Sequence, residues 1–392
     1  MIDEKAHNES ALVPGRSEAD TLPAQYSPLA SRGLALARES LPTIHVGSRR
    51  LAVISRDNVE QLTEVACFQQ DAPVTAMALL RNYLGLMLAA GAGGRVSLWR
   101  LPWGRTWRAP STRPWRALTA KSARPTDVRQ LALNPHRELL VLDDDDLTFW
   151  GIQSGKRCSP LESRGGVLSS LGNQLAHWDT DSTGTPALRI GYLGLGVRQR
   201  GPEAISGWQD IENWLVMRGA GVSRSARGWL SIGFFVCWPA IGGVAVGRTL
   251  PDSEWMIVPS QSDVGIVSLG WPILTFTEAR GAAVSFCDLT AGRRDRSWNS
   301  RLTATGPVHR YSADELCGHM CAVTSLQYRG SSDLLACGTQ DGGVVVRSLH
   351  GEIQVRLEAH LGTVTALSFS WDGCLLASAS HDGTVRLWGV FE

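Results

Sequence analysis

The chain has 392 residues, of which 43% are apolar and 19% charged, so it contains enough apolar material for a large core. Its formal net charge of +1 excludes a general electrostatic attraction to nucleic acid or to anionic membranes. The 41 glycines and 15 tryptophans favour many short strands joined by tight turns over long helices.

Residues 1–43 form a polar leader that we expect to be disordered. The leader has acidic residues near its start, several prolines and no apolar stretch, so it does not resemble a signal peptide. The eight cysteines are scattered through a chain too long to need disulfides, which indicates free thiols. We therefore expect an intracellular, cytoplasmic protein, with nuclear, cytoskeletal or ciliary association as alternatives.

From residue 44 to residue 392, short apolar runs recur between clusters of glycine, proline, aspartate and serine, and no long helical period appears. This pattern predicts an all-β domain. Two units of paired runs end at Trp99 and Trp150, and weaker units follow near residues 167–194, 213–259 and 263–288. The unit boundaries between residues 190 and 290 are left open.

A basic and aromatic stretch follows the first unit and contains no acidic residue. Its arginines and tryptophans are Arg100, Trp103, Arg105, Trp107, Arg108, Arg113, Trp115 and Arg116. Both residue types are enriched at binding hot spots, so the stretch is a candidate partner-binding surface. The alternatives are stacking on single-stranded nucleic acid and plain packing of an outer strand. The near-neutral charge argues against nucleic acid, which we do not expect as a partner.

Residues 229–247 are uncharged and approach the length of a membrane span. Pro239 near the middle and four glycines instead favour a hairpin of two buried strands that turns at Pro239–Ala240. We therefore expect no membrane insertion.

The last two units repeat most clearly, over residues 318–358 and 359–390. His319 and Asp341 in the earlier unit lie 41 residues before His360 and Asp382 in the later one. A period of about 40–45 residues with strand–turn–strand content is typical of propeller blades.

The last unit resembles the WD-repeat family, in which a histidine, a serine or threonine, an aspartate and a tryptophan form a buried hydrogen-bonded set. The matching residues are His360, Ser378, Asp382 and Trp388. The earlier unit keeps His319 and Asp341 but has Cys337 and Arg347 in place of serine and tryptophan.

The resemblance, with the weaker units, implies a seven-bladed WD-repeat β-propeller. Because the chain ends four residues after Trp388, the last blade lacks its outermost strand, which Val59–Phe68 is expected to supply. The alternative is a truncated form of a longer protein.

The function that the resemblance implies is a protein-interaction scaffold or adaptor subunit of a multiprotein assembly, with other proteins as partners. No catalytic motif stands out, so we expect neither an enzyme nor a cofactor. The alternatives are a nucleic-acid-associated factor that uses residues 100–116 and a propeller enzyme or small-ligand binder that uses the central channel.

Two short clusters contain residue types that bind metals. Cys317, His319 and Cys321 are zinc ligand types, but no second pair follows at a suitable spacing. The four carboxylates Asp143–Asp146 lack the alternation that a calcium loop needs. We therefore expect no metal site.

Overall fold

Short antiparallel strands make up almost all of the regular structure in this computed structural model. It describes residues 45–46, 49–82, 85–101, 110–119, 128–133, 138–142, 146–157, 161–162, 167–168, 174–180, 186–193, 205–210, 229–230, 235–240, 242–248, 255–270, 272–290, 308–318, 320–349 and 353–392. The described strands belong to one compact unit, Pro42–Glu392. The all-β prediction is confirmed, whereas the expected disordered leader lies outside the described residues.

Three strands precede the repeated sheets. They are β1 (His45–Val46), β2 (Arg49–Ala52) and β3 (Thr63–Gln69).

The first three repeated sheets each contain four consecutive strands. Sheet 1 contains β4 (Val74–Asn82), β5 (Gly85–Ala92), β6 (Arg95–Leu101) and β7 (Arg116–Thr119). Sheet 2 contains β8 (Gln130–Leu133), β9 (Glu138–Leu142), β10 (Asp146–Gly151) and β11 (Leu161–Glu162). Sheet 3 contains β12 (Val167–Leu168), β13 (Gln174–Thr180), β14 (Pro186–Leu193) and β15 (Ile205–Asp210).

The next three sheets follow the same rule. Sheet 4 contains β16 (Trp229–Leu230), β17 (Phe235–Ala240), β18 (Gly243–Arg248) and β19 (Trp255–Pro259). Sheet 5 contains β20 (Val264–Gly270), β21 (Ile273–Glu278), β22 (Ala283–Asp288) and β23 (His309–Ser312). Sheet 6 contains β24 (Val323–Arg329), β25 (Leu334–Thr339), β26 (Gly343–Ser348) and β27 (Ile353–Glu358).

Sheet 7 combines the two ends of the described chain. Its consecutive strands are β28 (Val364–Phe369), β29 (Leu375–Ser380) and β30 (Thr384–Phe391). Strand β3 pairs with β30 from Thr63 opposite Gly389 to Gln69 opposite Thr384, and β2 pairs with the last residues of β30. The prediction that an early segment supplies the outermost strand is thus confirmed for β3.

Helix contributes little to the described part of the chain. One α-helix, α1 (Ala313–Cys317), links sheets 5 and 6. The Ser312 hydroxyl caps this helix by accepting from the Glu315 N–H, and the Glu315 carboxylate accepts from the Ser312 N–H in return. Single 3₁₀ turns cover Val59–Gln61 and Ala279–Gly281.

The first strands of the sheets contact one another in a closed order, β4, β8, β12, β16, β20, β24, β28 and back to β4. This ring of radially arranged sheets is the architecture of a β-propeller. The described strands fall into seven sheets, but parts of the chain between residues 102 and 307 lie outside the description. Seven blades for the whole chain therefore stays a prediction.

Antiparallel pairing gives the ring two distinct faces. In each sheet, the links between first and second strands and between third and fourth strands lie at one end, which we call the lower face. The links between second and third strands, and from one sheet to the next, lie at the other end, which we call the upper face. Any loop can therefore be assigned to a face from its place in the strand order.

The hydrophobic core lies between neighbouring sheets. Strands β5, β21, β25, β26 and β29 are buried along their whole length, because both of their faces are covered by adjacent sheets. Between sheets 7 and 1, for example, Phe68 packs against Trp99 with ring centroids 5.0 Å apart.

A repeated threonine also joins the first strands of successive sheets. The hydroxyl of Thr324 in sheet 6 donates to the Val364 carbonyl in sheet 7 at 2.7 Å. Thr365 in sheet 7 does the same to Val74 in sheet 1 at 2.7 Å, and Thr75 in sheet 1 to Val128 beside sheet 2 at 2.8 Å. Each of these carbonyls belongs to the first strand of the next sheet or lies just before it. The threonine hydroxyl gives the carbonyl a partner on the side of that strand that faces no other strand of the same sheet.

The uncharged segment 229–247 contributes strands β16, β17 and β18, so the hairpin prediction is confirmed. The expected turn position was wrong: Pro239 lies inside β17, opposite Val244, and the turn follows Ala240 and includes Gly242, which has φ +81°. Among the described residues, β16 pairs with Val236 and Cys237 alone, so no described pairing with β16 uses the position of the missing Pro239 N–H. Within the described residues, no helix has the length and apolarity that a membrane crossing requires.

Candidate functional site

Five side chains of sheet 7 form one chain of hydrogen bonds, which we call the sheet 7 hydrogen-bond chain. The Trp388 indole N–H donates to the Ser378 hydroxyl at 2.9 Å, and that hydroxyl lies 2.7 Å from His360 Nε2. His360 Nδ1 lies 2.8 Å from the Thr384 hydroxyl, which donates to Asp382 Oδ1 at 2.7 Å. Ser378 and the His360 ring are buried.

The direction of these hydrogen bonds follows from the two groups at the ends of the hydrogen-bond chain, the Trp388 indole and the Asp382 carboxylate. An indole N–H can only donate, and a carboxylate can only accept. Ser378 therefore accepts from Trp388 and donates to His360 Nε2, while His360 Nδ1–H donates to Thr384. The imidazole is thus neutral, with its proton on Nδ1.

Burial lowers the pKa of His360 to about 4, and the nearby Asp382 carboxylate only partly opposes this. The Nδ1 to Asp382 Oδ2 separation of 3.4 Å is therefore a contact between a neutral ring and a carboxylate, not an ion pair. Partial burial raises the pKa of Asp382, but hydrogen bonds from Thr384 and the Leu361 N–H outweigh it and hold that pKa below its usual value.

Sequence reasoning placed His360, Ser378, Asp382 and Trp388 in one set but missed Thr384. The structure inserts the Thr384 hydroxyl between the histidine and the aspartate. The available signal was a hydroxyl residue two positions after an aspartate in a turn, where its side chain and its N–H both reach the carboxylate.

In sheet 6, the residues at the positions of the sheet 7 hydrogen-bond chain make different contacts. Cys337, in the place of Ser378, is buried, and Arg347, in the place of Trp388, lies over the Tyr311 ring at 4.6 Å. Asp341 accepts from Thr339 and, at 3.1 Å, from Arg356. His319, the predicted partner of Asp341, lies outside the described residues.

The sheet 7 hydrogen-bond chain fixes the upper-face link that precedes β28. Asp382 Oδ2 accepts from the Leu361 N–H at 2.9 Å, and the Ser380 hydroxyl donates to the Gly362 carbonyl at 2.8 Å. The Thr363 hydroxyl donates to the Gln340 carbonyl of the neighbouring turn at 3.0 Å. The backbone of residues 361–363 is therefore held on three sides.

This fixed link presents a bare apolar side chain. Leu361 is 97% exposed, and Met320, at the equivalent position 41 residues earlier, is 90% exposed. Large apolar side chains are rarely this exposed without a role, and two at the same position of adjacent sheets form a repeated feature. We call Met320 and Leu361 the upper-face pair.

The structure describes four members of the basic and aromatic stretch, Arg100, Arg113, Trp115 and Arg116. They lie at the lower-face ends of β6 and β7 or in the described part of the link between them. The guanidinium carbon of Arg100 lies 3.9 Å from the centre of the Trp115 ring, and that of Arg116 lies 5.5 Å from it. The other predicted residues, Trp103, Arg105, Trp107 and Arg108, lie outside the described residues.

The two clusters of metal-binding residue types have no described metal geometry. Within the described residues, no group of three or more histidine, cysteine, aspartate or glutamate side chains is placed to hold a metal ion. Burial raises the pKa of Cys317 far above its usual value, so this thiol stays protonated. Asp143, Asp144 and Asp145 lie outside the described residues, and Asp146 begins β10.

Comparison with known proteins agrees with this geometry. The family model for the WD domain, G-beta repeat matches residues 310–347 and 351–389. The β-propeller domain of Cps50 (Swd1) from Myceliophteria thermophila is a structural neighbour with a TM-score of 0.57 and 13% identity, covering 84% of this chain and 99% of that one. At this identity the likeness shows the fold alone.

Two relatives by sequence are similar over shorter regions. A probable cytosolic iron-sulfur protein assembly protein 1 of Candida glabrata is 36% identical over 115 residues, which cover 26% of this chain and 34% of that protein. The guanine nucleotide-binding protein subunit beta of Saccharomyces cerevisiae is 40% identical over 67 residues, covering 17% of this chain and 16% of that protein. The chain thus spans about a third or less of the length of these relatives. The sheet order and the structural neighbour show a β-propeller fold, and the family model shows that residues 310–347 and 351–389 of this chain are WD40 repeats.

Proposed function

We propose that this chain is a protein-interaction scaffold that binds a partner protein at its upper face. WD40 propellers bind other proteins, and the single observation that supports this face is the upper-face pair, Met320 and Leu361. Both side chains are almost fully exposed at equivalent positions of adjacent sheets. They offer apolar anchors of the kind that supply most of the binding energy in protein interfaces.

The fixed backbone beside Leu361 strengthens the proposal. Its N–H, the Gly362 carbonyl and the Thr363 hydroxyl are all hydrogen-bonded within the propeller. A partner that covers Leu361 therefore does not have to order this loop, which lowers the entropic cost of association.

The related proposals concern domains, catalysis and location. We propose that residues 44–392 form the propeller, with residues 1–43 as a separate leader, and that the protein is not an enzyme. The described cysteines are free, which supports an intracellular, cytoplasmic location. The relative from Candida glabrata has "cytosolic" in its name.

Affinity isolation of the full chain with a matched set of variants tests the proposal. The test variant combines Met320→Ser with Leu361→Ser. The control is Val53→Ser: Val53 is an apolar residue that is 50% exposed, and the next residue, Ile54, donates its N–H to the Gly373 carbonyl at the lower face. Quantitative mass spectrometry should show that at least one protein recovered with wild type drops about tenfold or more with the test variant, as loss of two anchors would produce. The control should recover it at the wild-type level.

Equal recovery with all three chains would reject the upper face as the binding surface. Both substitutions lie at exposed positions, so the free energy of unfolding should change by less than about 0.5 kcal/mol each. An unfolding curve for every variant keeps a folding defect from being mistaken for a lost interface.

A further inference from the structure

A second surface lies at the lower face, where sheet 1 meets sheet 2. Arg100 is the next-to-last residue of β6, Trp115 precedes β7, Arg116 begins it, and Lys156 and Arg157 follow the turn after β10. The two sheets touch here: a side-chain carbon at Gly155 would lie 2.9 Å from Arg116 Nη1. We call Arg100, Trp115, Arg116, Lys156 and Arg157 the rim patch.

Aromatic rings hold the guanidinium groups of the rim patch. The centre of the Trp115 ring lies 3.9 Å from the guanidinium carbon of Arg100 and 5.5 Å from that of Arg116, and the centre of the Trp150 ring lies 5.9 Å from that of Arg157. A guanidinium that stacks on a ring uses its flat face, so its N–H edge stays available for hydrogen bonds. Trp115 itself remains 37% exposed.

Two nitrogen atoms of these guanidinium groups lack the hydrogen-bond acceptor that a buried donor normally has. Arg116 Nη1 and Arg157 Nε are both buried and have no hydrogen-bond partner. In the part of the chain that the structure describes, none of the four basic side chains of the rim patch forms an ion pair with an acidic residue. A buried donor without an acceptor is uncommon and costs free energy, so these two guanidinium groups are incompletely satisfied within the chain. A carboxylate from a partner would therefore meet basic charge that no acidic residue of the described chain neutralises.

We propose that the rim patch binds an acidic segment of a partner protein, with aspartate or glutamate carboxylates accepting from the guanidinium groups of Arg100, Arg116 and Arg157. Carboxylates match the planar fork of arginine and form charge-assisted bonds with it. Trp115 and the Arg100 stem add flat contact area beside the carboxylates. This inference rests on the proposed scaffold function. It adds a second contact surface at the lower face and states the chemical class of the partner segment that binds there.

The shape and charge of the patch favour a peptide over nucleic acid. Nucleic-acid binding draws on many phosphate contacts along an extended basic face, whereas the chain as a whole has a net charge of only +1. The rim patch instead is a small cluster of four basic side chains beside one half-exposed tryptophan, which matches a short acidic segment.

Fluorescence anisotropy with the full chain tests this proposal. The probe is a labelled peptide of alternating glutamate and glycine, and the matched peptide has glutamine in place of glutamate. We expect the glutamate peptide to bind and the glutamine peptide to bind about tenfold or more weakly. We expect the double variant Arg116→Gln with Arg157→Gln to reduce glutamate-peptide affinity by about tenfold or more, as loss of two charge-assisted bonds implies.

The control variant removes the same charge elsewhere. Arg56→Gln with Arg95→Gln changes two exposed arginines outside the rim patch and should leave glutamate-peptide affinity within about twofold of wild type at physiological salt. Lys156→Glu serves as a second test variant, because Lys156 is exposed and its replacement leaves the core intact. It should weaken binding even where the double variant folds poorly.

Three results would overturn the proposal: equal binding of both peptides, unchanged affinity in the double variant and in Lys156→Glu, or binding of a labelled oligothymidylate but not of the peptide. The upper-face variant should bind the glutamate peptide like wild type. If the peptide fails to bind while partner recovery still depends on Met320 and Leu361, only the rim patch is rejected and the scaffold function stands.

Discussion

Ser378 is the residue on which the sheet 7 hydrogen-bond chain depends, because its hydroxyl accepts from Trp388 and donates to His360 at once. Ser378→Ala should remove both bonds and leave a buried indole N–H without an acceptor. The free energy of unfolding should fall by about 1–3 kcal/mol. Urea unfolding followed by tryptophan fluorescence measures this change.

The matched control lies on the neighbouring strand. Ser368→Ala removes a half-buried hydroxyl whose contact with the Phe369 carbonyl is long, at 3.5 Å. Its effect should stay below about 0.5 kcal/mol. Similar losses for both variants would mean that the hydrogen-bond chain contributes nothing specific to stability.

His360 predicts a pH dependence of stability. Its pKa is lowered to about 4 in the folded chain by burial, against an ordinary value of 6.5, so the unfolded chain binds the extra proton first. The stabilisation is fully present above pH 6.5 and is lost as the pH falls from 6.5 to about 4, by about 3 kcal/mol at most.

Comparing wild type with His360→Gln isolates this contribution from that of the other titrating groups. Unfolding free energies measured between pH 7 and pH 4.5 should decline more steeply for wild type than for the variant. Parallel curves would show that His360 does not stay neutral in the folded protein.

At the scale of elements, the closing strand β3 is the most informative test. Phe68 is buried between sheets 7 and 1 against Trp99, although it comes from the first part of the described chain. Phe68→Ala should lower the free energy of unfolding by about 3–5 kcal/mol, through lost burial and the cavity left behind. Gln69→Ala, at the exposed next position of the same strand, should cost less than about 0.5 kcal/mol.

Chemical denaturation of both variants shows whether the packing of β3 contributes to the stability of the propeller. If Phe68→Ala cost no more than Gln69→Ala, the pairing of β3 with β30 would not be holding the ring closed.

Much of the element order could be predicted from the sequence, because it follows from local pattern. The 41-residue spacing and the alternation of apolar runs with glycine and aspartate turns marked β24 to β30 closely. Even the role of an early segment as the last outer strand followed from the missing fourth strand of sheet 7. The turn near Pro239 was misplaced because proline usually marks a turn or an edge, whereas here Pro239 pairs with Val244 inside β17, which becomes visible only in the assembled sheet.

The candidate sites were less predictable, because exposure and contact are properties of the whole fold. The sequence of the last repeat identified four members of the sheet 7 hydrogen-bond chain but not Thr384. Nothing in the sequence separates Leu361 from the many buried leucines, since only the upper-face position of its link exposes it. The unpartnered nitrogens of Arg116 and Arg157 likewise arise only when two sheets meet.

At the scale of the whole molecule, the ring leaves two faces with different chemistry. The upper face presents the apolar pair Met320 and Leu361 on hydrogen-bonded links, and the lower face presents the basic and aromatic rim patch. Under the proposed function, these two surfaces would let the chain bind two partners on opposite faces.

Velocity sedimentation of the full chain in native extract tests the scaffold function most directly. We expect wild type to sediment in a species larger than a single copy. We expect Met320→Ser with Leu361→Ser to shift it toward the single chain, and Val53→Ser to leave it unchanged. Sedimentation of wild type as a single chain, with no larger species at any salt concentration near physiological, would contradict the proposed scaffold function.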